Sequence, residues 1–149
     1  MKVVLQRCLE SSVSIEGRVV GSIEQGVMLL VGIGPDDTET EIQWMCNKVA
    51  NLRIFEDEEG KMNRSLLEVG GEALVVSQFT LYGNCRKGRR PSFASAGHPS
   101  MAEPLVEQFV EVLREQGVER VETGQFGADM KVALVNDGPV TLIIESPSA

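Results

Sequence analysis

Ser77, Gln78 and Thr80 stand together in the stretch ALVVSQFTLYG, residues 73–83. Three polar side chains at the end of an apolar run admit three chemistries: a nucleophile site, a binding site, or only a strand running out into a turn. A hydroxyl nucleophile needs a base to take its proton. The single histidine, His98, lies eighteen residues beyond Thr80 in a loop-like GHPS segment. Thr80 is not N-terminal, and no lysine stands at helical spacing from it. A Ser-His-Asp arrangement is therefore disfavoured. Backbone N–H groups at a strand-to-loop break can bind a developing oxyanion without any ionisable side chain. Neighbours in a strand point to opposite faces, which puts Ser77 with Phe79 and Gln78 with Thr80. The four converge only if the strand ends or bends near Phe79, and Gly83 permits that.

A second group is NDGPVT, residues 136–141. Asp-Gly is a strong hairpin-turn pair and would account for the stretch by itself. Pro139 removes a strand donor, so it belongs at a strand start or an edge. About 5–6% of X–Pro bonds are cis, which leaves the Gly138-Pro139 isomer open. A third group is RKGRR, in which Arg86, Lys87, Arg89 and Arg90 are four of the fourteen basic residues. The formal net charge of −8 argues against a protein that coats nucleic acid. The cluster is then either a solvated loop or a local phosphate contact on an acidic molecule. Cys8, Cys46 and Cys85 have no metal-type spacing. With one histidine and no CxxC, no structural metal is expected.

The elements that must position these groups are legible in outline. A chain of 149 residues suggests one domain, residues 1–149. Such a chain buries about 70% of its unfolded surface. No apolar run approaches the ~20 residues of a membrane span, and MKVVLQRCLE lacks a signal peptide's apolar region, so a cytoplasmic protein is expected. Lys2–Leu9 reads as extended. Val13–Ile15 and Arg18–Ile23 flank a Glu16-Gly17 hairpin signal. Val27–Val31 is a continuous apolar run suited to a buried strand. Thr38 and Glu41 form a capping box ahead of a helical stripe, Ile42, Met45, Cys46, Val49 and Leu52. A short strand at Arg53–Glu56 and a charged turn at Asp57–Lys61 follow. Ser100 and Glu103 suggest a second capping box, for a helix from about Ser100 to Gln116 with Gly117 after it. Met130–Val135 and Val140–Glu145 read as a closing hairpin around Asn136–Pro139. Gly32-x-Gly34 lacks the third glycine and the βα context of a dinucleotide fingerprint. The class is α+β: a mainly antiparallel, barrel-like sheet flanked by two main helices.

Taken together, SQFTLYG and NDGPVT resemble the paired motifs of the D-aminoacyl-tRNA deacylases, SQFTL and NxGPVT, without a substitution. Gln6-Arg7 and TGQFGADM (residues 123–130) are similar to that family as well. The resemblance covers essentially the whole chain. It implies hydrolysis of the ester joining a D-amino acid to the terminal adenosine of tRNA. It implies a homodimer with its sites at the subunit interface, and no cofactor. In such a dimer a cis Gly138-Pro139 would enter the partner's pocket as a chirality filter. An L side chain would collide with its backbone, whereas a D side chain points away. Glycine has nothing to collide, so glycyl-tRNA, including glycine mischarged on tRNA(Ala), would also be cut. By motif, Ser77, Gln78, Phe79 and Thr80 line the pocket floor.

Thr80 matches the family position once assigned as nucleophile. The missing base favours a different mechanism, in which backbone N–H groups near Phe79 and Thr80 polarise the ester carbonyl. The ribose 2′-OH of the terminal adenosine would then activate or position the water. RKGRR would contact the acceptor stem. The alternatives are a small-ester hydrolase using Thr80, a non-catalytic RNA-binding module, and a structural β-rich dimer.

Overall fold

Lys2–Ile15 forms one long strand, β1, rather than two separate ones. A computed structural model describes residues 1–147. The Glu16-Gly17 turn reverses the chain into β2, Arg18–Ile23, which pairs antiparallel with the end of β1. The apolar run forms β3, Gly26–Gly32, antiparallel to residues 2–8 of β1. Helix α1, Glu39–Asn51, begins on the expected capping box. The Thr38 side chain accepts from the Thr40 N–H, and the Glu41 carboxylate accepts from the Thr38 N–H at 2.7 Å. The short strands β4, Phe55–Glu56, and β5, Met62–Arg64, enclose the charged turn.

Next come β6, Glu72–Ser77, a 3₁₀ turn at Phe79–Tyr82, helix α2 at Pro99–Glu115, β7 at Val121–Thr123, and β8 at Lys131–Glu145. The main sheet runs β2-β1-β3-β6-β7, with β8 also on β1. It is mixed but mainly antiparallel: β1 runs antiparallel to β2, β3 and β8, and the expectation needs amending only at β6 and β7. Strand β6 lies parallel to β3, and β7 parallel to β6. The reason is connectivity: the segments between β3 and β6 and between β6 and β7 each contain a helix, which returns the chain to the same end of the sheet. Helices α1 and α2 cover one side of the sheet, and Phe109, Met45, Leu5 and Leu29 are fully buried between them. A smaller core forms on the other side around Cys8, Met28, Leu74 and Val76.

Two local expectations are corrected. Helix α2 does not begin on a Ser100–Glu103 box. Its N-cap is His98, whose Nδ1 accepts from the Ser100 N–H at 3.1 Å. Pro99 has no N–H to satisfy and a φ suited to the first helical position, so the helix starts one residue early. The closing hairpin is also absent. Both halves of β8 run antiparallel to the same strand, with Cys8 opposite Asn136 and Gln6 opposite Thr141. Residues 137–140 have no ladder partner and bulge out opposite Arg7. The chain does not reverse because β1 is long enough to pair with both halves in turn.

Candidate active site

Strand β6 stops at Ser77, and the chain turns at once into the 3₁₀ segment. This is the break that convergence of the SQFT side chains requires. The Gln78 N–H still bonds to Val31 O at 2.8 Å. The Phe79 and Thr80 N–H groups, by contrast, have no acceptor among the described residues. Gly32 and Gly34 let the turn lie close against β3. A Cβ on Gly32 would sit 3.1 Å from Gln78 O, and one on Gly34 would sit 2.8 Å from the Tyr82 hydroxyl. The Gly-x-Gly pair is thus a close-packing device. Burial, together with the Asp37 carboxylate, pushes the Tyr82 phenol well above its usual range.

A cleft of about 660 Å³ opens beside this turn. Ser77, Gln78 and Phe79 form part of its wall, together with Phe93, His98 and Phe126. Its floor is apolar, built from the ends of β3 and β6 and the first turns of α2. A volume in this range suits a small-molecule moiety held mainly by apolar contact and a few polar groups. Thr80, expected on the pocket floor, is exposed and does not line the cleft, and its Oγ1 accepts from Gln78 Nε2. Among the described residues no hydrogen bond joins His98 to Ser77 or Thr80. The His98 Nδ1 receives a backbone N–H, so the neutral ring carries its proton on Nε2. Among the described residues no base bonds to the Thr80 hydroxyl. Among the described residues no three of His, Cys, Asp and Glu gather as a metal site.

Phe93 and His98 were not legible as site residues. Phe93 is brought in by the Asn84–Ser92 bridge that closes the loop, and it meets Phe79 edge-to-face at 5.2 Å. The same bridge closes the loop that carries Arg86, Lys87, Arg89 and Arg90. All four are exposed, and no carboxylate lies within ion-pair distance of them among the described residues.

Gly138 and Pro139 do not line this cleft. They are exposed on the β8 bulge, joined by a cis bond. Arg7, 4% exposed, holds the bulge from beneath: Nε donates to Asp137 O at 2.9 Å and Nη1 to Ile54 O at 2.7 Å. Cys8 next to it is a buried thiol whose pKa burial raises to about 11.

The profile of the family described as D-Tyr-tRNA(Tyr) deacylase matches residues 4–145. The chain belongs to that family. It is 63% identical over 146 residues to the D-aminoacyl-tRNA deacylase of Brevibacillus brevis, covering 98% of this chain and 100% of the relative. It is 62% identical to the protein of the same name from Thermomicrobium roseum, covering 98% and 94%. Among solved structures it is similar to one titled c-Myc DNA Unwinding Element Binding Protein. That match has a TM-score of 0.93 and 42% identity, and covers 99% of this chain and 100% of that one. The family is one of hydrolases that act on an ester bond, and the SQFT turn and the NDGPVT bulge lie inside the matched span.

Proposed function

We propose that the cleft hydrolyses the ester of D-aminoacyl-tRNA, with the terminal adenosine and its amino acid held across the SQFT turn. The observation that carries this is the pair of N–H groups, Phe79 and Thr80, that find no acceptor among the described residues where the chain turns beside the cleft. Such donors polarise an ester carbonyl and stabilise the oxyanion formed when water adds. The Thr80 hydroxyl has no base, so the ribose 2′-OH beside the ester activates or positions the water. Water adds to the carbonyl, the ester C–O bond breaks, and free D-amino acid and tRNA leave. If Thr80→Ala still cleaves and a terminal 2′-deoxyadenosine substrate does not, the mechanism stands. The reverse pattern sinks it.

Selection of the D form is assigned to Gly138 and Pro139. They lie outside the cleft of their own chain, so the filter has to come from a second copy. Strand β8 suits such a contact. Its outer edge has no strand partner among the described residues, and Ile143, 75% exposed, and Val135, 46% exposed, stand on it. An open apolar edge of this kind invites pairing. A rigid backbone wall reads the configuration at the α-carbon and ignores side-chain identity, so glycine on tRNA, tRNA(Ala) included, passes as well. The basic loop, which has no ion-pair partner among the described residues, meets acceptor-stem phosphates. Each lost phosphate contact lowers the slope of log Kd against log salt by about one. Charge reversal at Arg89 and Arg90 that left slope and affinity unchanged would remove that role.

The deciding experiment is cleavage of matched D- and L-tyrosyl-tRNA by the purified protein. Cleavage of D alone supports the proposal. Cleavage of both removes Gly138-Pro139 as a filter. Binding of tRNA without any turnover would move the RNA-binding alternative to the front.

A further inference from the structure

Residues 137–140 have no ladder partner, so side chains have to fix their position. Arg7 holds one end of the bulge, at Asp137 O. The other end is held by Asn136. Its Oδ1 accepts from the Val140 N–H at 2.7 Å. A backbone N–H can only donate, which orients the carboxamide and turns Nδ2 the other way. Nδ2 donates to Thr141 Oγ1 at 3.0 Å and to Val140 O at 3.3 Å. Thr141 Oγ1 also accepts from Gln6 Nε2 at 3.5 Å, which ties the group back to β1. Gly138 and Pro139 are exposed between these two anchors.

We propose that Asn136, acting with Thr141, is a positioning residue that sets where the Gly138-Pro139 backbone stands and thereby how strongly L substrates are rejected. This rests on the filter role given above to Gly138 and Pro139. Asn136 does not line the cleft; it acts through the bulge. Selection by collision depends on a wall that does not yield. A wall anchored at only one end moves aside for an L side chain, while the D substrate, which never meets it, is affected less.

The experiment measures kcat/KM for D- and L-tyrosyl-tRNA with the full-length protein, alongside thermal unfolding. Asn136→Ala removes three hydrogen bonds and should raise the L-to-D ratio by about fivefold, since one net hydrogen bond is worth about 1 kcal/mol. Thr141→Val is near-isosteric but loses the acceptor, and should raise the ratio less. Thr141→Ser keeps the hydroxyl and should restore it. A merely structural role would lower the unfolding temperature and leave the ratio alone. If Asn136→Ala does not fold, the Thr141→Val and Thr141→Ser pair decides. A ratio unchanged in the folded variants, while Gly138→Ala shifts it, overturns the role of Asn136 and spares the filter. A ratio unchanged by Gly138→Ala as well overturns the filter, and this proposal with it.

Discussion

Replacing Gly138 by alanine tests the bulge most directly, because the structure supplies both parts of the cost. Gly138 has φ +138°, a conformation that L side chains rarely adopt. Holding a non-glycine residue there costs on the order of 1–3 kcal/mol. The added Cβ would also lie 2.8 Å from Val140 Cγ2, 3.1 Å from Val140 N and 3.2 Å from Arg7 Nη2. None of these neighbours yields easily. Val140 is buried and β-branched, and Arg7 is buried and held by two carbonyls. Overpacking of this kind adds about 1–3 kcal/mol. A total of about 3 kcal/mol lowers the unfolding temperature of a chain this size by roughly 6–12 °C. Gly88→Ala is the control. It shares a positive φ, +72°, but its Cβ would meet nothing within 4 Å. It should cost only the conformational part, about 1 kcal/mol. The assay is thermal unfolding of both variants, followed by D and L cleavage at a temperature where both are folded. Equal losses for the two variants would refute the contact with Arg7 and Val140. An unshifted D/L ratio in Gly138→Ala would refute the filter.

Four further outcomes are expected. Only Cys85 of the three thiols is exposed, and burial raises Cys8 to about 11 and Cys46 further still, so native protein should take up one maleimide at pH 7.5 and unfolded protein three. Rapid labelling of a second thiol in the native state would contradict that packing. Thr38→Ala should cost about 1 kcal/mol at pH 7 by removing the cap of α1. The bonds that Thr38 gives to Glu41 hold that carboxyl below its usual range. A lowered pKa stabilises above the unfolded value and fades as pH falls through the folded one, so the gap between wild type and Glu41→Gln should narrow below pH 4.5. A gap that widens on acidification would reverse the sign. Arg7→Met should destabilise by about 3–5 kcal/mol, since it strands the carbonyls of Ile54 and Asp137 in a buried site; an unchanged denaturant midpoint would rule this out.

Local patterning carried much of the fold. The Thr38–Glu41 box, the Glu16-Gly17 turn and the apolar run of β3 depend on neighbours in sequence, and each stands where periodicity and capping chemistry put it. The SQFT and NDGPVT stretches were legible as motifs for the same reason: their residues are contiguous. The parallel pairing of β3, β6 and β7 depends on how helices return the chain, which periodicity does not encode. The NDGP stretch carries the residues of a hairpin turn, and only the length of β1 beneath it makes it a bulge. His98 and Phe93 become wall residues through a loop closure and a helix cap, contacts made far from the SQFT turn in sequence. Residue types and their order determined which groups could do chemistry. Tertiary structure alone decided that the Phe79 and Thr80 N–H groups find no acceptor among the described residues and that Arg7 lies buried under Asp137, because hydrogen-bond satisfaction is settled only once distant strands have packed.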